Sequence, residues 1–271
     1  MNNTTSEYYN DSWMFHGSLP WIMGTRFDLI LIGKNRDESE NIWKIIKNEL
    51  ANLDQMLNRF DPESEISMIN KNAKHQSTII STEMWQILQD CRQYHQKTYG
   101  LFDITLTDLS QVLFFEREQT VTFLQPSLSL DFGGYAKGYT MKKLVKILKA
   151  HEVENCFVDF GNSAIFALGH HPYGDSWKVS IENPFNKKEI IAEFELRNSA
   201  LSTSGNTPHY SGHIVNPLSS KRIDDKRLIC IECEDPVDAE VISTTLIAAD
   251  KKQKKWILSQ FEVKQIVEYN L

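Results

Sequence analysis

The sequence predicts an α+β fold, because strand-like and helix-like segments alternate in blocks without the regular βαβ repeat of a doubly wound parallel sheet. Residues 192–197, in a predicted strand over 190–196, alternate apolar and charged side chains with the period of two that is typical of a half-solvated strand. Residues 38–57 repeat apolar side chains on one helical face. With 271 residues, 41% hydrophobic and 24% charged, the chain can form one large domain or two closely joined subdomains.

The first half of the chain combines one strand with two helices. Residues 27–33 predict a strand that leads into the amphipathic helix over 38–57. A second helix is predicted over about 83–96, with Ser81 or Thr82 as its N-cap and a stripe of core residues along one face.

The second half contains two further helices and several strands. The segment Asp131-Phe-Gly-Gly-Tyr-Ala-Lys-Gly-Tyr139 predicts a strand-to-helix junction, and its helix extends to about residue 151. Asp235 and Pro236 predict the N-cap and first position of a fourth helix. Strands are predicted at 156–160, 177–181, 190–196 and 228–233.

Charge and apolar patterning exclude several classes of protein. The net charge is −7, and the sequence has no basic stripe that could neutralise a phosphate backbone, so we expect no nucleic-acid partner. No apolar run is long enough to span a membrane, and residues 1–20 lack the pattern of a signal peptide, so the chain as given is predicted to be cytoplasmic. Cys230 and Cys233 fall on one predicted strand and should point to opposite faces, which argues against a metal or disulfide site there.

The glycine-rich junction is a candidate site for a phosphorylated ligand. Gly133, Gly134 and Gly138 allow the backbone to approach a ligand closely. Lys137 adds a positive charge, and the helix that begins nearby adds its positive end. An ordinary tight turn with a solvated lysine would account for the same residues.

Two oxygen-bearing side chains on the fourth helix are candidate metal ligands. Glu240 and Thr244 are four residues apart and therefore lie on one face of the helix. Together with a backbone carbonyl and phosphate oxygens they suit Mg²⁺. The alternative is a surface glutamate with a threonine that bonds back to the preceding turn. His213 is a candidate general base, although a lone histidine is more often structural.

Seven short motifs follow one another along the chain: Met23-Gly-Thr25, Phe60-Asp-Pro-Glu-Ser-Glu-Ile-Ser-Met-Ile-Asn70, Gly100-Leu-Phe-Asp-Ile-Thr105, Asp131-Phe-Gly-Gly-Tyr-Ala-Lys-Gly138, Leu201-Ser-Thr-Ser-Gly205, His213-Ile-Val-Asn-Pro217 and Ala239-Glu-Val-Ile-Ser-Thr244. In this order the motifs resemble those of the ApbE family, the FAD:protein FMN transferases, and the resemblance spans nearly the whole chain. Each motif is weak alone, but their shared order is specific.

The resemblance implies two closely joined α+β halves with mixed or antiparallel sheets, flanking helices and FAD at their junction. It implies an N-terminal extension over 1–20 and one transferase domain over 21–271. FMN would pass from FAD to a Thr or Ser hydroxyl of an acceptor protein, with Mg²⁺ at the pyrophosphate and release of AMP. The implied metal ligands are the Gly134 carbonyl, Glu240 and Thr244. The implied FAD contacts are Met23, Phe60, Leu101, Phe102, Asp103, Asp131, Lys137 and Ile214.

Several positions depart from the family pattern. Glu240 replaces the usual Asp, and Gly161-Asn162-Ser163 replaces a motif that ends in an acid. Asn216 stands where the family usually has an Asp. Two other activities therefore stay open: an FAD pyrophosphatase that yields FMN and AMP, and a flavin-binding protein without catalysis.

Overall fold

The structure, a computed structural model, describes residues 4–208, 212 and 214–271. The helices are α1 (Arg36–Leu57), α2 (Glu65–Asn72), α3 (Thr82–Lys97), α4 (Ala136–Ala150), α5 (Pro236–Ala248) and α6 (Lys251–Leu258). The strands are β1 (Thr5–Tyr9), β2 (Met14–Ile22), β3 (Thr25–Ile32), β4 (Thr78–Ile79), β5 (Val112–Phe115), β6 (Thr120–Phe123), β7 (Asn155–Phe160), β8 (Ala164–Leu168), β9 (Trp177–Asn183), β10 (Asn186–Leu196), β11 (Ser199–Gly205), β12 (Val215–Asn216), β13 (Lys221–Arg222), β14 (Arg227–Cys233) and β15 (Val263–Asn270).

The main sheet has eight strands in the order β1-β2-β3-β7-β8-β11-β14-β15. Every neighbouring pair in it runs antiparallel. The α+β prediction is therefore confirmed, because a doubly wound fold requires parallel neighbours. One face of the sheet packs against α1, α4 and α5, and the other face is partly covered by the β9–β10 hairpin.

A second hydrophobic core lies beside the main sheet. The three-stranded sheet β4-β6-β5 forms it together with α2, α3 and the end of α1. Aromatic side chains fill its centre, where Tyr135 is fully buried and contacts the rings of Tyr94 and Phe102. These helices and the small sheet bury their apolar faces in this core together with residues of α4 and α5.

Helix α5 lies between the two cores. Val237 and Val241 belong to the core of the small sheet, whereas Ala239, Ile242 and Leu246 belong to the core of the main sheet. Such a helix is apolar around its whole circumference. Most polar side chains on it, such as Glu240 at the seam between the cores, are therefore buried.

Most predicted elements are present, with boundaries shifted by a few residues. Ser81 is the N-cap of α3, and Asp235 caps α5 with Pro236 at its start, as predicted. The prediction for the junction at Asp131 was wrong in one respect: no strand leads directly into α4, since residues 124–135 form turns and irregular backbone and α4 begins only at Ala136. Residues 1–20, predicted as an extension, include β1 and most of β2, which pair within the main sheet.

Two exclusions made from the sequence can be compared with the structure. Cys230 packs under the β9–β10 hairpin and Cys233 packs in the core on the helix side, so the two thiols point to opposite faces of β14 as predicted. Among the helices of the described residues, none combines the length and apolarity that a membrane crossing requires.

Candidate active site

Glu240 is a buried carboxylate on α5, with only 3% of its surface exposed. Thr244 follows one turn later and is partly exposed. The Thr244 hydroxyl bonds to Ser204 on β11 rather than to its own helix, whereas the neighbouring Thr245 donates to the Val241 carbonyl. Glu240 and Thr244 are therefore not the surface pair that the alternative interpretation required.

The first turn of α4 supplies both partners of the Glu240 carboxylate. The Gly138 amide donates to Oε2, and the Lys137 ammonium lies 3.0 Å from Oε1. These contacts compensate for burial, because a buried charge without partners is strongly destabilising. The two helices touch closely at this point, since a Cβ on Gly138 would lie 2.7 Å from the Pro236 carbonyl oxygen and 2.9 Å from the Val237 Cα.

Gly134 lies against Thr244 at the entry to α4. A Cβ on Gly134 would be 3.2 Å from the Thr244 Cγ2 and 3.5 Å from its Oγ1. The three predicted metal-binding residues thus belong to one group: Gly134 next to Thr244, and Thr244 one turn beyond Glu240. Lys137 joins them through its ion pair with Glu240.

Asp131 lies shortly before α4 and binds Arg59, a residue that was not predicted from the sequence. The Arg59 guanidinium lies 2.6 Å from Asp131 Oδ2, and the Gly133 amide donates to Oδ1 at 2.7 Å. Arg59 also covers the ring of Phe60, which is 79% exposed. The sequence signal that could have identified Arg59 is its position directly before Phe60, a predicted FAD contact.

Met23 contacts α4 from the turn between β2 and β3. Its sulfur accepts a hydrogen bond from Thr140 at 3.3 Å, and its amide donates to Asp54 at 3.2 Å. Burial raises the pKa of Asp54, and the bond from Met23 opposes that rise. Met23 has a positive φ of 48°, a conformation that this tight turn imposes on it.

Asp103 organises its own loop. Its carboxylate accepts bonds from the Thr105 amide and hydroxyl and from the Leu109 amide, and His95 lies 3.4 Å away. Burial alone would raise the pKa of Asp103, but the bonds from His95, Thr105 and Leu109 together hold it below its usual value. This carboxylate is committed to the loop, which reaches the site through the bond from the Asp131 amide to the Ile104 carbonyl.

Three further predicted contacts are buried in the cores. Leu101 and Ile214 pack in the core of the main sheet, and Phe102 packs in the core of the small sheet. A ligand could reach them mainly through their backbone groups. His213, the candidate general base, lies outside the residues that the structure describes.

The donor set at Glu240 and Thr244 fits a hard cation that is completed by substrate. A carboxylate, a hydroxyl and a carbonyl are the oxygen ligands that Mg²⁺ accepts, and Mg²⁺ commonly keeps waters and phosphate oxygens as its remaining ligands. Within the described residues, no group of three or more His, Cys, Asp or Glu side chains is placed to hold a metal ion. A cation here would therefore depend on ligands from bound substrate.

Comparison with known proteins gives consistent matches. The model of the ApbE family matches residues 23–267. A Chlamydia muridarum protein named FAD:protein FMN transferase is 27% identical, over 78% of this chain and 77% of its own length. A Vibrio cholerae protein of the same name is 21% identical over 75% and 72%.

Solved structures match the fold. The flavin transferase ApbE from Vibrio cholerae superposes with a TM-score of 0.79 at 18% identity, covering 98% of this chain and 97% of its own. The ApbE protein from Thermotoga maritima superposes with a TM-score of 0.78 at 18% identity, over 95% and 91%.

Proposed function

The chain belongs to the ApbE family, and on that premise we propose that it is a magnesium-dependent FAD:protein FMN transferase. It binds FAD, transfers FMN to a threonine or serine hydroxyl of an acceptor protein and releases AMP. Curated relatives that carry the name FAD:protein FMN transferase support the transferase activity. The metal, the acceptor residue and the leaving group are the finer parts of the proposal.

The observation that carries the proposal is the buried Glu240 carboxylate. It lies between the two cores, beside Thr244 and Gly134, and pairs with Lys137 at the start of α4. A fold that needed only stability would gain little from a buried ion pair, because replacing such pairs by apolar residues is often neutral or stabilising. A charged group kept at this seam supports a role in binding a charged substrate.

Two of the proposed FAD contacts offer groups that a ligand can reach. Phe60 offers an exposed ring beside Arg59, which suits a planar ligand. Lys137, whose side chain is 24% exposed, would turn from Glu240 toward phosphate oxygens once a cation is bound at Glu240. The remaining proposed contacts are Met23, Leu101, Phe102, Asp103, Asp131 and Ile214.

The reaction exchanges one phosphorus–oxygen bond for another. The acceptor hydroxyl oxygen bonds to the phosphorus on the FMN side, the anhydride bond breaks, and its bridging oxygen leaves with AMP. Mg²⁺ held by the Gly134 carbonyl, Glu240 and Thr244 would neutralise charge on the pyrophosphate. Lys137 would orient the phosphates, and the hydroxyl proton would pass to a base, for which His213 is our candidate.

The proposal is tested by incubating the purified protein with FAD, with and without Mg²⁺ and an acceptor protein. AMP release and an FMN adduct on the acceptor are measured by chromatography and mass spectrometry. We expect both products only when metal and acceptor are present. AMP without an acceptor would instead identify a pyrophosphatase, and FAD retained without turnover would identify a flavin-binding protein.

A matched pair of variants tests the role of Glu240. Glu240→Gln removes the charge at the site, whereas Glu232→Gln removes the charge of another buried glutamate, on β14, which accepts a bond from Ser199 at 2.7 Å. We expect transfer to fall by about 10²-fold or more in Glu240→Gln only, in line with the loss of a charge-stabilising group. Equal activity in both variants would contradict the assignment.

A further inference from the structure

We infer that Ser204 and Ser243 are positioning residues that keep the Thr244 hydroxyl oriented with its oxygen lone pairs toward the cation; this inference rests on the proposed function. A chain of short contacts links the three side chains. Thr244 Oγ1 lies 3.1 Å from Ser204 Oγ, and Ser204 Oγ lies 2.8 Å from Ser243 Oγ. Ser243 also lies 2.9 Å from Ser202 Oγ and donates to the Glu240 carbonyl at 3.1 Å.

Counting hydrogens fixes the direction of each hydrogen bond in this series. A hydroxyl has one hydrogen and two lone pairs, and a carbonyl can only accept. Ser243 therefore spends its hydrogen on the Glu240 carbonyl and must accept from Ser202 and from Ser204. Ser204 has then used its hydrogen and must accept from Thr244. The Thr244 hydrogen thus points toward β11.

This direction matters because a hydroxyl binds a cation through its oxygen. With its hydrogen held by Ser204, Thr244 keeps its lone pairs free on the side of Gly134, whose built Cβ would lie 3.5 Å from Oγ1. A hydrogen rotated toward the cation would repel it. Ser243 is fully buried, so water cannot readily replace its part in the chain.

Ser202 provides an internal control. It is buried, as Ser243 is, and like Ser204 it donates to Ser243 Oγ, but it lies outside the path of hydrogen bonds from Thr244 to the Glu240 carbonyl. Ser202→Ala leaves the Ser243 hydrogen on Glu240 and leaves Ser204 donating to Ser243. Ser204→Ala or Ser243→Ala removes the acceptor that fixes the direction.

The experiment measures Mn²⁺ binding by the electron paramagnetic resonance signal of the free ion, with the full chain and saturating FAD. We expect Ser204→Ala and Ser243→Ala to weaken Mn²⁺ binding by about 10–100-fold, the range found for outer partners of metal ligands. Ser202→Ala should bind as the unaltered protein does, and Ser204→Thr should restore binding. FAD affinity without metal should be unchanged in all four variants.

The outcomes separate this inference from the function on which it rests. If the unaltered protein binds Mn²⁺ and transfers FMN, but Ser204→Ala binds Mn²⁺ equally well, the inference is overturned and the function stands. Equal losses in Ser202→Ala and Ser204→Ala overturn it as well. If the unaltered protein binds no Mn²⁺ and transfers no FMN, both fail. Ser204→Ala, at a partly exposed position, decides the matter even if Ser243→Ala does not fold.

Discussion

Replacing Gly138 by alanine is the sharpest test of the contact between α4 and α5. Gly138 lies in the first turn of α4, and its amide donates to Glu240. An added Cβ would lie 2.7 Å from the Pro236 carbonyl oxygen, 2.9 Å from the Val237 Cα and 2.9 Å from Glu240 Oε2. Two of these three atoms belong to the backbone, so the clash is relieved only if one helix moves.

The size of the effect follows from two opposing terms. Alanine is about 0.8–1.0 kcal/mol better than glycine within a helix, so helix propensity alone predicts stabilisation. Overpacking of a dense contact costs about 1–3 kcal/mol, and backbone atoms place this case in the upper part of that range. We expect a net loss of about 1–2 kcal/mol, which lowers the unfolding midpoint by roughly 2–8 °C.

Calorimetry and the transfer assay should change together. A shift of α4 lengthens the bond to Glu240, so we expect transfer to fall by about 10–100-fold, as sub-ångström to ångström displacements of catalytic groups do. Gly174→Ala is the control, because its nearest neighbour would be 3.9 Å away. A Gly138→Ala protein with an equal or higher midpoint and full activity would refute the close contact and the role that we derive from it.

The remaining predictions concern buried titratable groups. All four cysteines are buried, and burial raises their thiol pKa values, so iodoacetamide should label them only after unfolding; labelling of the native protein would contradict this burial. Asp103→Asn should cost about 1.5–3 kcal/mol at neutral pH, because the bond from the Leu109 amide then meets a neutral acceptor. Since the folded pKa of Asp103 is lowered, this cost should shrink as pH falls below 3.8, and a cost independent of pH in urea titrations would count against it. Burial is the main cause that raises the pKa of Asp238; the hydrogen bond from Tyr94 opposes this rise, and repulsion from Asp235 adds to it. The stability that the protonated form contributes is therefore lost as pH rises through the folded pKa. Asp238→Asn should therefore unfold at a higher midpoint than the unaltered protein at neutral pH, with the difference disappearing in acid; a lower midpoint would be the contrary result.

Local patterns were sufficient for the regular elements of the fold. The helical repeat over 38–57 and the capping residue Asp235 depend on neighbours in the sequence, and both predictions hold. Strand β1 was not predicted because it lies at the edge of the sheet with both faces exposed, so its sequence lacks an alternation of apolar and polar residues. The irregular backbone before α4 was missed because glycines and apolar residues fit a strand-to-helix junction equally well.

Spacing along the sequence could indicate the site only where its residues are neighbours, and the grouping of Gly134 with Glu240 and Thr244 came from the family resemblance. Glu240 and Thr244 lie one helical turn apart, so their spacing could be interpreted directly. Gly138 and Glu240 are 102 residues apart, and their contact depends on how α4 packs on α5. The pairing of Arg59 with Asp131 and the bond from Thr244 to Ser204 likewise arise from tertiary packing and leave no periodic signal.

The charges at the seam give an independent reason to expect metal dependence. Lys137 is paired with Glu240, and Arg59 is paired with Asp131, so these four side chains together carry no net charge. Under the proposed function, the pyrophosphate of FAD would add two negative charges, and bringing them next to Glu240 and Asp131 would be unfavourable in a partly dry site. Turning Lys137 and Arg59 toward the phosphates without a metal would leave both carboxylates without their cationic partners, with only the Gly138 and Gly133 amides to bind them. A divalent cation that binds Glu240 and the phosphates together would balance the two added negative charges and keep the net charge of the site at zero. Transfer at full rate in the presence of a chelator would therefore mean that a cationic group outside these four residues neutralises the pyrophosphate.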